Sequence, residues 1–180
     1  MRKLIVSTLM TLDGKSDVRS GWSIPYDSED SAAFHSELLA GSDGLVLGRV
    51  TYELFAAMWP PRVGVTPYAA KIDGMAKHVV SDTLREPEWG NSHLVAGGIA
   101  EGVAALKRQD GGDLVAYGGH TLIRGLQQHG LIDEYRFLLH PVLLGEGAGF
   151  VAGGGRADLE LVDATTLSSG VLALTYRPVR

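Results

Sequence analysis

Leu114-Val115-Ala116-Tyr117-Gly118-Gly119-His120-Thr121 reads as a strand, a pivot and the start of a helix. Four apolar residues in unbroken succession mark a strand buried on both faces, and two glycines end it. Leu122, Ile123 and Leu126 then recur at helical spacing. The same grammar appears earlier in the chain. Leu45-Val46-Leu47 runs into Gly48-Arg49, and Tyr52, Phe55 and Trp59, with the pair Leu54 and Met58, set a helical period from Thr51 to Trp59. Pro60-Pro61 stops that helix, because proline lacks the N–H that the next turn needs. His78-Val79-Val80 ends at Ser81-Asp82-Thr83. Leu94-Val95-Ala96 ends at Gly97-Gly98, ahead of a helical face made by Ile99, Val103 and Leu106.

The flanks complete the pattern. Leu4-Ile5-Val6 opens a strand that breaks at the turn dipeptide Asp13-Gly14. Asp27-Ser28-Glu29-Asp30 precedes Ala33, Phe34 and Leu38, which is a helix with acidic residues in its first turn, where the helix dipole favours them. Residues 61–67 read as loop, and the stretch up to Lys77 is weakly patterned. Tyr135 to Leu144 reads as one long strand bent at Pro141, and Leu159 to Val162 with Val171 to Arg177 as a closing antiparallel hairpin. Buried strands alternating with helices predict a single three-layer α/β domain over residues 1–180. Its central sheet is mixed, mostly parallel and of about eight strands, with helices on both faces.

Composition narrows the function. The chain is 45% hydrophobic and 21% charged, enough apolar content for a sizeable core and too much for a disordered chain. A net charge of −5, with no basic run, argues against nucleic acid and against a polybasic membrane anchor. With no cysteine there is no disulfide, thiolate metal site or thiol nucleophile. Leu4-Ile5-Val6 is interrupted at Ser7-Thr8, short of the ~7–15 apolar residues of a signal segment and the ~20 of a membrane span, so a cytoplasmic protein is expected. Its six histidines form no i, i+4 pair, and no metal site is expected. Glycine is the outlier: 24 residues of 180, against a usual share of about 7%.

In an open α/β sheet ligands bind beyond the carboxyl ends of the strands, and three glycine or hydroxyl pivots fall there. Gly48-Arg49-Val50-Thr51 puts free N–H groups and a guanidinium at a helix start, which suits a phosphate. Gly118-Gly119-His120-Thr121 repeats the arrangement, and Ser81-Asp82-Thr83 adds hydroxyls. Taken singly, these also read as a turn, a surface charge and a cap. Their shared edge favours a nucleotide. By contrast, Gly147-Ala148-Gly149-Phe150-Val151-Ala152 matches a dinucleotide text pattern but opens no helix, so the segment from Gly145 to Gly155 reads as a loop without a cofactor role.

These pivots, in this order, resemble the dihydrofolate reductase-like superfamily, in the branch of the riboflavin-biosynthesis reductase domain. Ser7-Thr8-Leu9-Met10-Thr11-Leu12-Asp13-Gly14, Leu45 to Glu53, Lys77 to Leu84 and Gly118 to Leu122 carry the resemblance. Gly130 to Tyr135, His140 to Gly147 and Ser168 to Pro178 extend it over nearly the whole chain. The resemblance implies an NADPH-dependent reductase. Gly48, Arg49 and Thr51 would hold the adenosine side of the pyrophosphate, and Ser81 and Thr83 the 2′-phosphate region. Gly118, Gly119, His120, Thr121 and Leu122 would cover the pyrophosphate, with Tyr117 near the nicotinamide. Asp13-Gly14 would lie in a mobile loop closing over it.

On the substrate side the resemblance implies catalytic roles for Asp13 and Asp27 and contacts from Lys15, Trp22 and Tyr52. Trp22-Ser23-Ile24-Pro25 is similar to the substrate loop of dihydrofolate reductases, whose pteridine-binding carboxylate follows it. Counting forward from Pro25 places that carboxylate at Asp27; counting back from Gly48 places it at Ala32. Read as a residue, Asp27 is also the N-cap of the next helix, with Glu29 and Asp30 as dipole partners. His120 reads equally as a first-turn residue facing solvent. Three functions stay open: reduction of a pterin-like, pyrimidine-like or carbonyl compound; the phosphoribosylaminouracil reductase step of riboflavin synthesis; or a non-catalytic NADPH-binding module. By the same resemblance the chain is expected to form a homodimer, through the strand Tyr135 to Leu144 and the apolar tail.

Overall fold

Leu45, Val46 and Leu47, and likewise Leu114, Val115 and Ala116, are wholly buried in the computed structural model, which describes residues 1–147, 149–150 and 153–179. Alternate residues of these strands feed different cores. Val46, Leu114 and Ala116 pack with Leu122, Ile123 and Leu126 on one side of the sheet. Leu45, Leu47, Val115 and Tyr117 pack with Leu38, Tyr52 and Ile72 on the other. An unbroken apolar run is what a strand needs when helices cover both of its faces.

Among the described residues eight strands form the sheet: β1 (Leu4–Thr11), β2 (Ser42–Gly48), β3 (Ala76–Val80), β4 (Ser92–Leu94), β5 (Asp113–Tyr117), β6 (Glu134–His140), β7 (Leu159–Thr166) and β8 (Leu172–Pro178). Their spatial order is β4-β3-β2-β5-β1-β6-β8-β7. The strands from β4 to β6 pair in parallel, while β8 runs antiparallel to both β6 and β7. Helices α1 (Glu29–Ala40), α2 (Arg49–Met58) and α3 (Pro67–Gly74) lie on one face; α4 (Ala104–Arg108) and α5 (His120–Gln128) lie on the other. This is the three-layer α/β architecture expected from the sequence, closing antiparallel pair included.

Four local expectations are corrected. Helix α3 occupies part of the weakly patterned stretch, announced by a Thr66 cap and Pro67 in its first turn rather than by apolar period. Strand β6 ends at His140, because Pro141 has no N–H to continue the ladder. Strand β4 sits two residues earlier than the apolar run, at Ser92–Leu94. The segment before α4 opens as a π-helical turn over Gly98–Val103. Strands β6 and β8 are paired on both sides, whereas β7 lies at one edge of the sheet and is exposed along its length. In the Gly147-to-Ala152 pattern, Ala148, Val151 and Ala152 lie outside the described residues.

Candidate functional site at the ends of β2 and β5

Strands β2 and β5 are neighbours, but their helices leave to opposite faces, so α2 and α5 begin side by side at the same sheet edge. Each begins on glycine: Gly48 and Gly119 are the N-cap residues, and neither end has a side-chain cap. Helices α1 and α3 differ, since the Ser28 and Thr66 hydroxyls accept from Ser31 and Ala69 N–H. The first N–H groups of α2 and α5 are therefore free to meet an anion, and the helix dipoles favour one.

The two pivots touch. Gly118 and Gly119 have φ of +48° and +74°, and a Cβ built on Gly119 would stand 3.2 Å from Thr51 Oγ1. A Cβ on Gly48 would lie 3.7 Å from Leu122 Cβ. Gly48, Thr51, Gly118, Gly119 and Leu122 are thus brought together, as the sequence reading required. Arg49 begins α2 but lies along it, in an exposed pair with Glu53 at 2.9 Å. Ser81 follows β3, and its hydroxyl accepts from Thr83 and Leu84 N–H at 3.2 and 2.9 Å, closing a turn. Thr121 is exposed in the first turn of α5.

Other residues are placed differently from the expectation. Tyr52 is buried and its hydroxyl accepts from Trp89 N–H at 2.9 Å, so it packs the core in place of the expected substrate contact. Asp27 is not a helix cap: Ser28 takes that position in a capping box with Ser31, and Asp27 is exposed just before it. His120 does not simply face solvent, because its Nδ1 lies 3.1 Å from the Phe150 carbonyl. Trp22 donates through Nε1 to Asp17 O at 2.7 Å and packs edge-on against the buried His140 ring.

The loop after β1 is tied to the glycine-rich loop after β6. Asp13 accepts from Thr11 Oγ1 at 2.6 Å, from Leu144 N at 3.3 Å and from Gly145 N at 2.9 Å. Hydrogen bonding from Thr11 first, then from the Gly145 amide, holds its carboxyl down at about 2. Lys15 Nζ donates to Gly147 O at 2.8 Å, and Phe150 N–H to Gly14 O at 2.9 Å. Through Phe150 and His120 this double loop reaches the first turn of α5. The glycine-rich segment thereby comes to the sheet edge where α5 begins, which its text pattern alone does not reveal.

On the other side of β5 the strand end meets an aromatic cluster. Tyr117 is buried, with its hydroxyl 3.2 Å from that of Tyr68. Phe55 from α2, Trp59 directly after it, and His35 from α1 surround this pair. Burial raises both tyrosines, Tyr68 to about 12, and pushes the His35 imidazole down to about 4, so it is neutral near pH 7. His35 Nδ1 and Trp59 Nε1 are buried without a hydrogen-bond partner. Sequence reading missed this cluster. Its one available signal was a histidine on the same helical face as Leu38 and Leu39.

Among the described residues no group of three histidine, aspartate or glutamate side chains is placed to hold a metal ion, and no helix is long and apolar enough to cross a membrane. Comparison with known proteins agrees with the fold. The family described as the RibD C-terminal domain matches residues 2–173. The uncharacterised protein YyaP of Bacillus subtilis is 30% identical over 181 residues, covering 97% of this chain and 94% of its own. A putative riboflavin biosynthesis protein from Shewanella sp. PV-4 superposes with a TM-score of 0.80 at 24% identity, over 99% of both chains. Dihydrofolate reductase from Enterococcus faecalis, solved with NADP(H), superposes with a TM-score of 0.63 at 18% identity, over 98% of this chain and 96% of that one.

Proposed function

Because the chain belongs to the RibD C-terminal domain family, we propose that it is an NADPH-dependent reductase of a small heterocyclic or carbonyl compound. One observation carries the reading: two glycine-led, uncapped helix starts from opposite faces of the sheet meet over neighbouring strand ends, with the Thr51 hydroxyl seated at Gly119. That cradle fits a pyrophosphate, since it offers free N–H donors, two helix dipoles and a backbone that no Cβ obstructs.

When bound, NADPH supplies the hydride. The chain supplies the rest. Thr51 and the first amides of α2 and α5 bind the pyrophosphate. Arg49 leaves its exposed pair with Glu53, a contact worth about 0.3–0.5 kcal/mol, for the stronger charge-assisted bond to a phosphate. Asp13 acts as a positioning residue, fixing Leu144 and Gly145 beside the strand end. Ionised near neutrality, it holds no proton to donate, so the proton for the reduced substrate comes from another group or from water. The aromatic cluster at Tyr117 keeps the opposite side of the strand end dry.

Oxidation of NADPH, followed at its absorbance band with a panel of pterin, pyrimidine and quinone acceptors, tests the activity. Arg49→Ala should weaken NADPH and NADH alike, about tenfold each, as expected for one lost charge-assisted bond to the pyrophosphate that both cofactors carry. No loss for either removes Arg49 from the phosphate site. Tight NADPH binding with no turnover on any acceptor makes the protein a cofactor-binding module instead.

The same reading extends to assembly. The proposed homodimer forms through β7, where Leu161 and Val162 are 52% and 44% exposed and the ladder edge is free.

A further inference from the structure

Two buried polar atoms in the aromatic cluster have nothing to bond. Trp59 Nε1 carries a hydrogen that must be donated, and His35 Nδ1 takes either role in a neutral ring. Buried groups of this kind lose their hydration with no return, which is why native proteins hold so few of them. Both side chains border the same ring: Tyr68 lies 6.0 Å from His35 and 5.2 Å from Trp59 between ring centroids. That one side chain therefore packs against both residues that carry an unpaired atom. His35, Phe55, Trp59 and Tyr68 are each half-buried, so the cluster reaches the surface between α1, α2 and α3.

The cluster is also without charge. Among the described residues, burial and each other shift Tyr68 and Tyr117, while burial first and then the neighbouring His140 lower His35. The nearby carboxylate of α1 is engaged elsewhere: Asp30 takes hydrogen bonds from Ser28, Ser31 and Ser168. Asp27 is exposed ahead of the helix. A cationic or diamino ring, whose N–H groups need a carboxylate, finds no acceptor of that kind in the cluster.

We infer that His35 and Trp59 are the specificity-determining residues of the substrate side, selecting an uncharged planar ring that offers a carbonyl oxygen to Trp59 Nε1–H and a polar ring atom to His35 Nδ1. This rests on the reductase reading for the word substrate, but the ring preference stands or falls without cofactor. A site built to bond a polar group rejects the analogue that lacks it, because its own buried atom is then left unpaired.

A matched pair of probes tests it: lumazine, which carries two carbonyls, and 2,4-diaminopteridine, the same frame with two amino groups. Calorimetric titration without cofactor should give lumazine at least about tenfold the affinity of the diamino ring. Trp59→Phe, which keeps the ring and deletes the N–H, and separately His35→Phe should each remove most of that preference. NADPH affinity should stay within about twofold. The unliganded Trp59→Phe protein should be at least as thermally stable as the parent, since it loses an unpaired polar atom; a purely structural tryptophan predicts the reverse. Equal or tighter binding of the diamino ring, unchanged preference in both variants, or no binding of either probe at millimolar concentration overturns the inference. Failure of NADPH to bind overturns the cofactor reading alone.

Discussion

Tyr117 and Gly118 are adjacent in the chain but face opposite electrical worlds. On the Gly118 side, backbone donors, two helix dipoles and Arg49 gather positive potential where two helices start. On the Tyr117 side, burial drives a histidine neutral and keeps tyrosine hydroxyls protonated, and the polar atoms that remain are uncharged. The contrast continues in the helix starts. Helices α1 and α3 are closed by their own hydroxyls, which serves stability, whereas α2 and α5 have no side-chain cap, which on the proposed reading serves a ligand. On the proposed reading, one end of β5 separates a place that receives an anion from a place that refuses charge.

The largest expected effect breaks the anion side. Gly119→Val puts a β-branched residue at a φ of +74° and a Cβ within 3.2 Å of Thr51. NADPH affinity should fall by about a hundredfold or more, roughly 3 kcal/mol, with the far-ultraviolet dichroism unchanged. Full affinity in that variant would show that the cofactor does not approach this backbone.

Acid probes the neutral side. The His35 proton binds near 6.5 in the unfolded chain but only at about 4 in the folded one. The unfolded state therefore holds the extra proton, and stability should drop as the pH falls from 6.5 to 4, then level off. This component amounts to at most about 3 kcal/mol. His78, also pushed down to about 4 by burial, contributes a second slope of the same sign. Urea unfolding of His35→Phe between pH 7 and pH 4.5 should show a visibly shallower loss than the parent. Parallel curves would mean that His35 is not held neutral in the fold.

A smaller effect sharpens the contrast between helix starts. Thr66→Ala removes the cap of α3 and should cost about 1 kcal/mol of stability, leaving NADPH affinity intact. If cofactor binding weakened with it, capped and open ends would not divide stability from function as argued. The smallest effect lies furthest from β5. Leu161→Asp on the β7 edge should convert a dimer to a monomer in light scattering, with NADPH affinity changed by less than about twofold. A monomeric parent protein ends that assembly proposal.

Much of the anion side was legible in the chain because it is written in local terms. An apolar run ending in glycine, followed by helical spacing, names a strand, a pivot and a helix at once, and three such pivots must share a sheet edge in a parallel fold. The neutral side is not local. Periodicity puts Phe55 and Trp59 along α2, but it does not say that His35 and Tyr68 from two other helices meet them. Helix α3, which brings Tyr68, buries only Ala69 and Ile72, too few to print a period. The loop tie made by Asp13 was illegible for a related reason: its partners Leu144 and Gly145 lie far along the chain, and only contact reveals them.

Amide chemical shifts of the nitrogen-labelled protein, followed during NADPH titration, test the central claim most directly. The account predicts the largest saturable shifts at the amides of Arg49, Val50 and Thr51 and of Gly119, His120 and Thr121, with the capped first turns, at Glu29, Asp30 and Ser31 and at Tyr68 and Ala69, unmoved. Shifts centred on the capped helices, or none at either glycine-led end, would contradict it.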